Sequence, residues 1–285
     1  MNRIRWSNAV LKNIAYLTML TDHFFAIIFI RILRQCSASG QNTELLDGIY
    51  SAGRAVGRIS FVLFCFLIVE GFVHTRSRRD YLLRLGIFAL VSEVPFDLAF
   101  SGKIMDPGSQ NVYFTLFLGV LVLCVWEWAA AGVRRLRRRP VREELWWILC
   151  IMTFRAVQFG ALILGCITAY AIKTDYKYMG VLLIWVLYLS RDMVRMPERL
   201  AQIVLAGCVM MLGMWSINYM RYADVYSSAY LFQFSMRELY GLSAFVPILL
   251  YDGSKGRQMP KAVCYGFYPV HLFVLYVIAA AAFGQ

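Results

Sequence analysis

The sequence predicts an all-α bundle of about nine membrane-spanning helices with a cytoplasmic N-terminus, and three observations carry that reading. Of the 285 residues, 60% are hydrophobic and 16% charged, with a mean hydropathy of +0.59, whereas a soluble domain is nearer half apolar and a quarter charged. Apolar runs close to the roughly 20 residues that a hydrocarbon layer demands of a helix recur along the chain. Lys and Arg gather between those runs, where they set orientation against the cytoplasm.

Taken in order, the first span is 13–33. Arg3, Arg5 and Lys12 precede it, and Arg31 and Arg34 stand where a cleavage region would be. The run is also longer than a signal-peptide core, so it is expected to be a retained helix. The next four are 55–73, 81–100, 112–132 and 145–172. The sixth, 178–190, is short enough to be tilted, re-entrant or extended at either end. The seventh is 200–220. The eighth, 229–250, contains Gly241 and Pro247 and reads as broken, which is tolerated where backbone is buried in protein. The ninth is 262–283.

With the N-terminus inside and the spans alternating, the inner segments are 1–12, 74–84, 133–144, 190–199 and 251–261. They hold 19 of the 29 Lys and Arg, the asymmetry expected of cytoplasmic loops. The run Arg134-Arg135-Leu136-Arg137-Arg138-Arg139 fixes the middle of the chain. The topology is N-in and C-out, and one membrane domain is expected to fill residues 1–285, without internal repeats, low-complexity segments or a lipidation motif.

The net charge of +12 is thus topogenic. No basic patch interleaved with aromatics marks a nucleic-acid surface, and nucleic acid is not expected as a partner. Seven cysteines, without a C-x-x-C pair, argue against a disulfide framework or zinc site. No metal is expected.

Ionisable side chains inside the hydrocarbon cost several kcal/mol and default to functional candidates. Asp22 and His23 lie about ten residues into the first span. Arg54 and Arg58 open the second, which closes on Glu70 and His74. Glu93 and Asp97 share a face of the third. Arg155 lies in the fifth, Arg237 and Glu238 in the eighth, and His271 in the ninth; all three histidines belong to the set. Several have plain structural readings: Arg54 and Arg58 suit snorkelling to the outer interface, Glu70 and His74 a local helix pair, and His271 a satisfied core histidine. Asp22-His23, with Thr18 to Thr21 before it and Phe24 to Ile27 after, has no interface nearby. Lys12 precedes His23 by eleven residues, which returns to within about 20° of the same helix face with a rise of about 16 Å. A cation at the cytoplasmic mouth above a mid-depth histidine suits a long anionic thioester. Adjacent residues do not share a face, so the carboxylate that orients His23 is expected from another helix, with Asp97 or Glu93 as candidates.

The stretches Lys12-Asn13-Ile14-Ala15, Met19-Leu20-Thr21-Asp22-His23, Gly57-Arg58-Ile59 and Phe64 to Thr75 resemble the TraX family. So do Tyr81 to Leu85, Ser92-Glu93-Val94-Pro95-Phe96-Asp97, Gln110 to Leu116, Thr174-Asp175-Tyr176 and Phe267-Tyr268-Pro269-Val270-His271-Leu272. The resemblance runs in order over almost the whole chain. It implies a multi-pass protein of the bacterial inner membrane that moves an acetyl group from cytoplasmic acetyl-CoA to an amine or hydroxyl. The family precedent is the N-terminal amine of a pilin; a glycan or small amine is an equal candidate here. Membrane acyltransferases of a related kind carry an arginine ten residues before a first-helix histidine, a place that Lys12 takes here.

On this reading His23 is the general base, its ring being matched to proton transfer near neutrality. Asp22, Glu93 or Asp97 would orient it, and Arg58 or Arg155 would steady the developing oxyanion. Lys12, Arg76, Arg78, Arg79 and Arg155 are candidates for the acetyl-CoA site. Glu70, His74, Asn111, Asp175, Tyr176 and His271 are candidates for substrate binding. The rival function is a proton-coupled transporter or flippase, for which buried acids, bases and a broken helix are also a signature. A structural assembly partner is the third.

Overall fold

The computed structural model describes residues 5–138, 144–193 and 195–284. Arg3, Arg139 and Arg142, counted above among the inner basic residues, lie outside them. Among the described residues there is no strand, only the isolated bridges Trp6 to Tyr251 and Gln110 to Thr174.

The helix α1 (Asn8–Ala38) contains a π turn over Phe25–Phe29, directly after His23; such bulges concentrate at functional sites. The helix α2 (Glu44–His74) opens on Glu44 and Asp47, whose charge suits a helix N-terminus. Ser77 accepts from Asp80 N–H at 3.2 Å to cap α3 (Arg78–Ser101), which ends on Gly102 at φ +70°, where glycine fits without strain. Asn111 caps α4 (Val112–Arg137) by accepting from Tyr113 N–H at 3.0 Å. There follow α5 (Glu144–Ala171), α6 (Lys177–Leu189) and α7 (Met196–Tyr222). Next come α8 (Ser228–Ser235), a 3-10 stretch (Met236–Ala244), α9 (Phe245–Leu250) and finally α10 (Lys261–Phe283).

The all-helical membrane fold stands, but about nine spans is too many. Among the described residues six helices, α1, α2, α4, α5, α7 and α10, are long and apolar enough to cross a bilayer. The third expected span, α3, carries Arg84, Glu93 and Asp97 besides its charged first turn. The sixth, α6, has 13 residues and reaches only about 20 Å. Its Met179, Val181, Leu183, Ile184 and Leu187 are buried by protein, so its apolarity reflects a core position, and hydropathy cannot tell that from lipid contact. The eighth is three short pieces.

The connecting segments nevertheless sort to two ends. At one end, Trp6 N–H donates to the Leu250 carbonyl at 2.9 Å, Lys12 to Gln258 at 2.5 Å and Tyr251 hydroxyl to Glu70 at 3.0 Å. Arg78, Arg134 and Tyr188 converge there on Glu127. Of the segments expected to share the inner side, 1–12 thus meets 251–261, and 74–84 and 133–144 meet on Glu127. At the other end, Gln110 N–H donates to the Lys173 carbonyl at 3.1 Å.

Gly53 and Gly57, one turn apart on α2, let α1 approach closely, as small residues do between membrane helices. A Cβ at Gly53 would overlap the Phe25 ring, and one at Gly57 the Asp22 carboxylate. Gly57→Ala is expected to destabilise the protein by about 1–3 kcal/mol, the usual cost of overpacking, read as an earlier unfolding midpoint in a denaturing-detergent titration. An unchanged midpoint would contradict this helix contact.

Candidate functional site

Two groups of side chains meet near the middle of the bundle. The first is ionic. Asp22 pairs with Arg54 at 2.8 Å, and Arg54 also donates to the Asp22 carbonyl at 3.3 Å. One turn on, Arg58 pairs with Glu238 of the 3-10 stretch at 3.2 Å and donates to the Tyr176 hydroxyl at 3.4 Å. The Tyr176 ring stacks on Phe61 at 3.5 Å and 5°. Asp175 accepts from Tyr176 N–H at 3.1 Å, and its carbonyl takes the Thr115 hydroxyl. Lys173, Tyr176 and Lys177 all have left-handed φ, 56°, 60° and 45°. For non-glycine residues that is strained backbone, which gathers at functional sites. Asp22 with Arg54 and Glu238 with Arg58 form two opposite-charge pairs, so each charge persists in a medium that would expel it alone.

The second group is a pair of histidines. His23 Nδ1 lies 2.6 Å from His271 Nε2, with the rings 4.9 Å apart and inclined by 18°. His271 Nδ1 lies 2.7 Å from the Phe267 carbonyl one turn back. Tyr268 stands edge-on to both rings, at 5.8 Å and 5.7 Å, and Phe100 edge-on to His23 at 5.9 Å. Pro269 has no N–H for the Tyr265 carbonyl one turn back, and the Tyr113 hydroxyl donates to that carbonyl at 3.0 Å. Tyr16 hydroxyl donates to the Cys264 carbonyl at 3.1 Å, so two tyrosines hold α10 where His271 meets His23.

Three expectations about individual residues are corrected by this geometry. The hydrogen-bonding partner of His23 is His271, not a carboxylate. Glu93 accepts from the Asn111 side chain and, at 3.3 Å, from Asn111 N–H, while Asp97 accepts from Asp106 N–H at 2.8 Å. Both acids fasten the 102–111 connection, and Asn111 is thereby a structural cap. Asp22 is engaged by Arg54 because adjacent helix residues point to different faces. Arg155 sits on the exposed side of α5, hydrogen-bonded to Gln158 at 2.9 Å, away from both groups. The helix face it occupies is set by packing that sequence does not display.

A cavity of about 580 Å³ opens at the end where the basic segments meet. Lys12, Arg76, Arg84, Lys255 and Lys261 surround it, together with Glu70 and His74. Tyr16 and Tyr113 also line it. Tyr113 stands 5.4 Å from Tyr268, the ring that touches both histidines, so the imidazoles lie one aromatic layer below the cavity. Of the expected acetyl-CoA residues, Lys12 and Arg76 line this space. Arg78 instead lies 4.8 Å over the Phe72 ring and 3.8 Å from Glu127, and exposed Arg79 is outside the lining. A second cavity, about 900 Å³, opens at the opposite end over Asp175 and Tyr176, walled by Tyr170, Tyr222, Tyr226 and Tyr230.

The sequence reading did not assign Arg54, Glu238, Tyr113, Tyr268 or Lys255 to a site. Glu238 had a signal, a carboxylate in a broken apolar segment. So did Arg54, a cation at the start of an apolar span; the others become visible only once helices distant in sequence are adjacent.

No solved structure matches the chain. It is 34% identical over 133 residues to the probable fimbrial assembly protein FimC, serogroup H1, of Dichelobacter nodosus. That alignment covers 43% of this chain and 47% of the relative, so the chain spans about half the length of the curated relative it matches. The family profile described as TraX protein matches residues 7–279, which takes in both cavities, the ionic cluster and the histidine pair. The chain is therefore a member of the TraX family.

Proposed function

We propose that this protein is an acetyl-CoA-dependent acyltransferase of the bacterial inner membrane, with its N-terminus and the 580 Å³ cavity facing the cytoplasm. The observation that carries the reading is the His23–His271 pair lying between a cation-rimmed cavity at one end and a tyrosine-walled cavity over Asp175 at the other. Lys12, Arg76, Lys255 and Lys261 suit the phosphates of acetyl-CoA, and the acyl arm reaches toward Tyr113 in the same lining. The acceptor reaches the same level past Asp175 and Tyr176. His23 takes a proton from the acceptor's amine or hydroxyl as that atom bonds to the acetyl carbon. The carbon–sulfur bond then breaks, and the proton passes to the departing thiolate, giving acetylated acceptor and free CoA. Arg58, near the centre, steadies negative charge on the carbonyl oxygen. A fimbrial assembly relative makes a pilin-like peptide one candidate acceptor, beside a glycan or small amine.

The test is acetyl-CoA consumption by the purified full-length chain in nanodiscs, supplied with cell-envelope extract from a strain lacking it. The products are searched by mass spectrometry for a 42-dalton acetyl increment, a figure fixed by acetyl-transfer chemistry and about the mass of C2H2O. The broken segment α8 to α9 between two opposed cavities also suits a proton-coupled transporter or flippase. Substrate flux into proteoliposomes with no acetyl-CoA consumed would favour that second reading. Within the first, Lys12→Ala is expected to raise KM for acetyl-CoA about tenfold, about 1.4 kcal/mol, with kcat little changed; an unaltered KM at low salt would remove Lys12 from the donor site.

A further inference from the structure

We infer that His271 is a positioning residue that holds His23 in the tautomer whose Nε2 is free to act as the base. The inference rests on the acyltransferase reading and adds to it which nitrogen reacts and what selects it. A carbonyl oxygen can only accept, so the 2.7 Å contact with Phe267 puts the hydrogen of an uncharged His271 ring on Nδ1. Its Nε2 is then a bare acceptor. The 2.6 Å contact with His23 Nδ1 needs one hydrogen between the two nitrogens, and only His23 can supply it. With its hydrogen committed there, His23 keeps a lone pair on Nε2.

The surrounding structure fixes this arrangement from both sides. Phe267 stacks on His271 at 5.0 Å and Tyr268 stands edge-on to both rings. Tyr113 and Tyr16 tie the backbone of α10 just before Pro269. A second imidazole thus fills the role that a carboxylate fills in hydrolytic triads, without adding net charge in the middle of the membrane. The chain of donors ends on the Phe267 carbonyl, so a proton collected at His23 Nε2 has no way out through His271. The same Nε2 must release it, and the thiolate formed when the carbon–sulfur bond breaks is the base that receives it.

The test combines spectroscopy with kinetics on the full-length protein in nanodiscs. With ring-15N histidine, and His74 assigned by difference against His74→Gln, the nitrogen shifts of His23 and His271 are expected to report hydrogen on Nδ1 in both. In His271→Phe, which keeps the stacking but removes the acceptor, His23 should shift toward the Nε2–H form. Acetyl transfer should then fall about 10²- to 10⁴-fold in kcat, in line with the loss on removing the orienting group of a triad, with KM for acetyl-CoA within about twofold. His271→Gln offers a side-chain oxygen to the same N–H and should recover at least about tenfold over His271→Phe. Hydrogen on Nε2 of wild-type His23, or equal impairment of the Phe and Gln variants with no tautomer change, would overturn the inference. A wild-type protein with the expected tautomer that consumes no acetyl-CoA would overturn the acyltransferase reading and leave the tautomer assignment standing.

Discussion

Replacing His23 by alanine is expected to slow acetyl transfer about 10²- to 10⁴-fold, the usual yield of general-base catalysis, equivalent to roughly 3–5 kcal/mol of transition-state stabilisation. The effect should fall on kcat, because His23 is not among the lining residues of the cavity proposed for the donor. The fold should survive. His23 is only partly buried, and its side-chain hydrogen-bond partner, His271, keeps its own bond to the Phe267 carbonyl. Release of CoA from acetyl-CoA, compared between the two proteins at equal thermal midpoint, is the measurement. Equal rates would take the ring out of the mechanism. Intact-mass analysis after a brief pulse of acetyl-CoA separates the two routes open to an imidazole: an acetylated wild-type protein, absent in His23→Ala, would mean transfer through acetyl-histidine instead of direct attack.

The second large effect belongs to the ionic cluster and is one of stability. Arg58→Ala removes the partner of Glu238, a carboxylate only 4% exposed whose Oε2 already lacks a hydrogen bond. Breaking a buried pair from one side costs about 3–5 kcal/mol, because a charge is left buried without compensation. The expected outcome is a large loss of folded protein in a denaturing-detergent titration. The double replacement Arg58→Met with Glu238→Leu removes both charges and should regain much of the loss, while acetyl transfer stays low if Arg58 serves the reaction. A single variant as stable as wild type would show that the pair is hydrated and not buried as described. A double variant with full activity would take Arg58 out of the chemistry and leave it a purely structural role.

Much of this was legible in sequence because it is local or additive. Hydropathy and the distribution of basic residues are sums over short windows. They gave the helical membrane fold and segments that do come together in pairs: 1–12 with 251–261, and 74–84 with 133–144 on Glu127. The cost of charge in hydrocarbon picked out Asp22, His23, Arg58, Glu238 and His271 one at a time. The break in the eighth segment was announced by Gly241 and Pro247, and the 3-10 stretch lies there. The span count failed where two different causes give one composition, since α6 is apolar because other helices bury it.

What sequence alone determined, then, is an all-helical membrane chain with a basic side and a short set of costly buried charges. Tertiary structure decided who pairs with whom. His23 and His271 are 248 residues apart, and Arg58 meets Glu238 across six intervening helices. Helices form by bonds within a segment, so their existence can be read along the chain. Their partners are chosen by side-chain fit between segments, such as Gly57 against Asp22 or Tyr113 against the carbonyl freed by Pro269. Such fit depends on faces and depths that come into being only when the bundle closes.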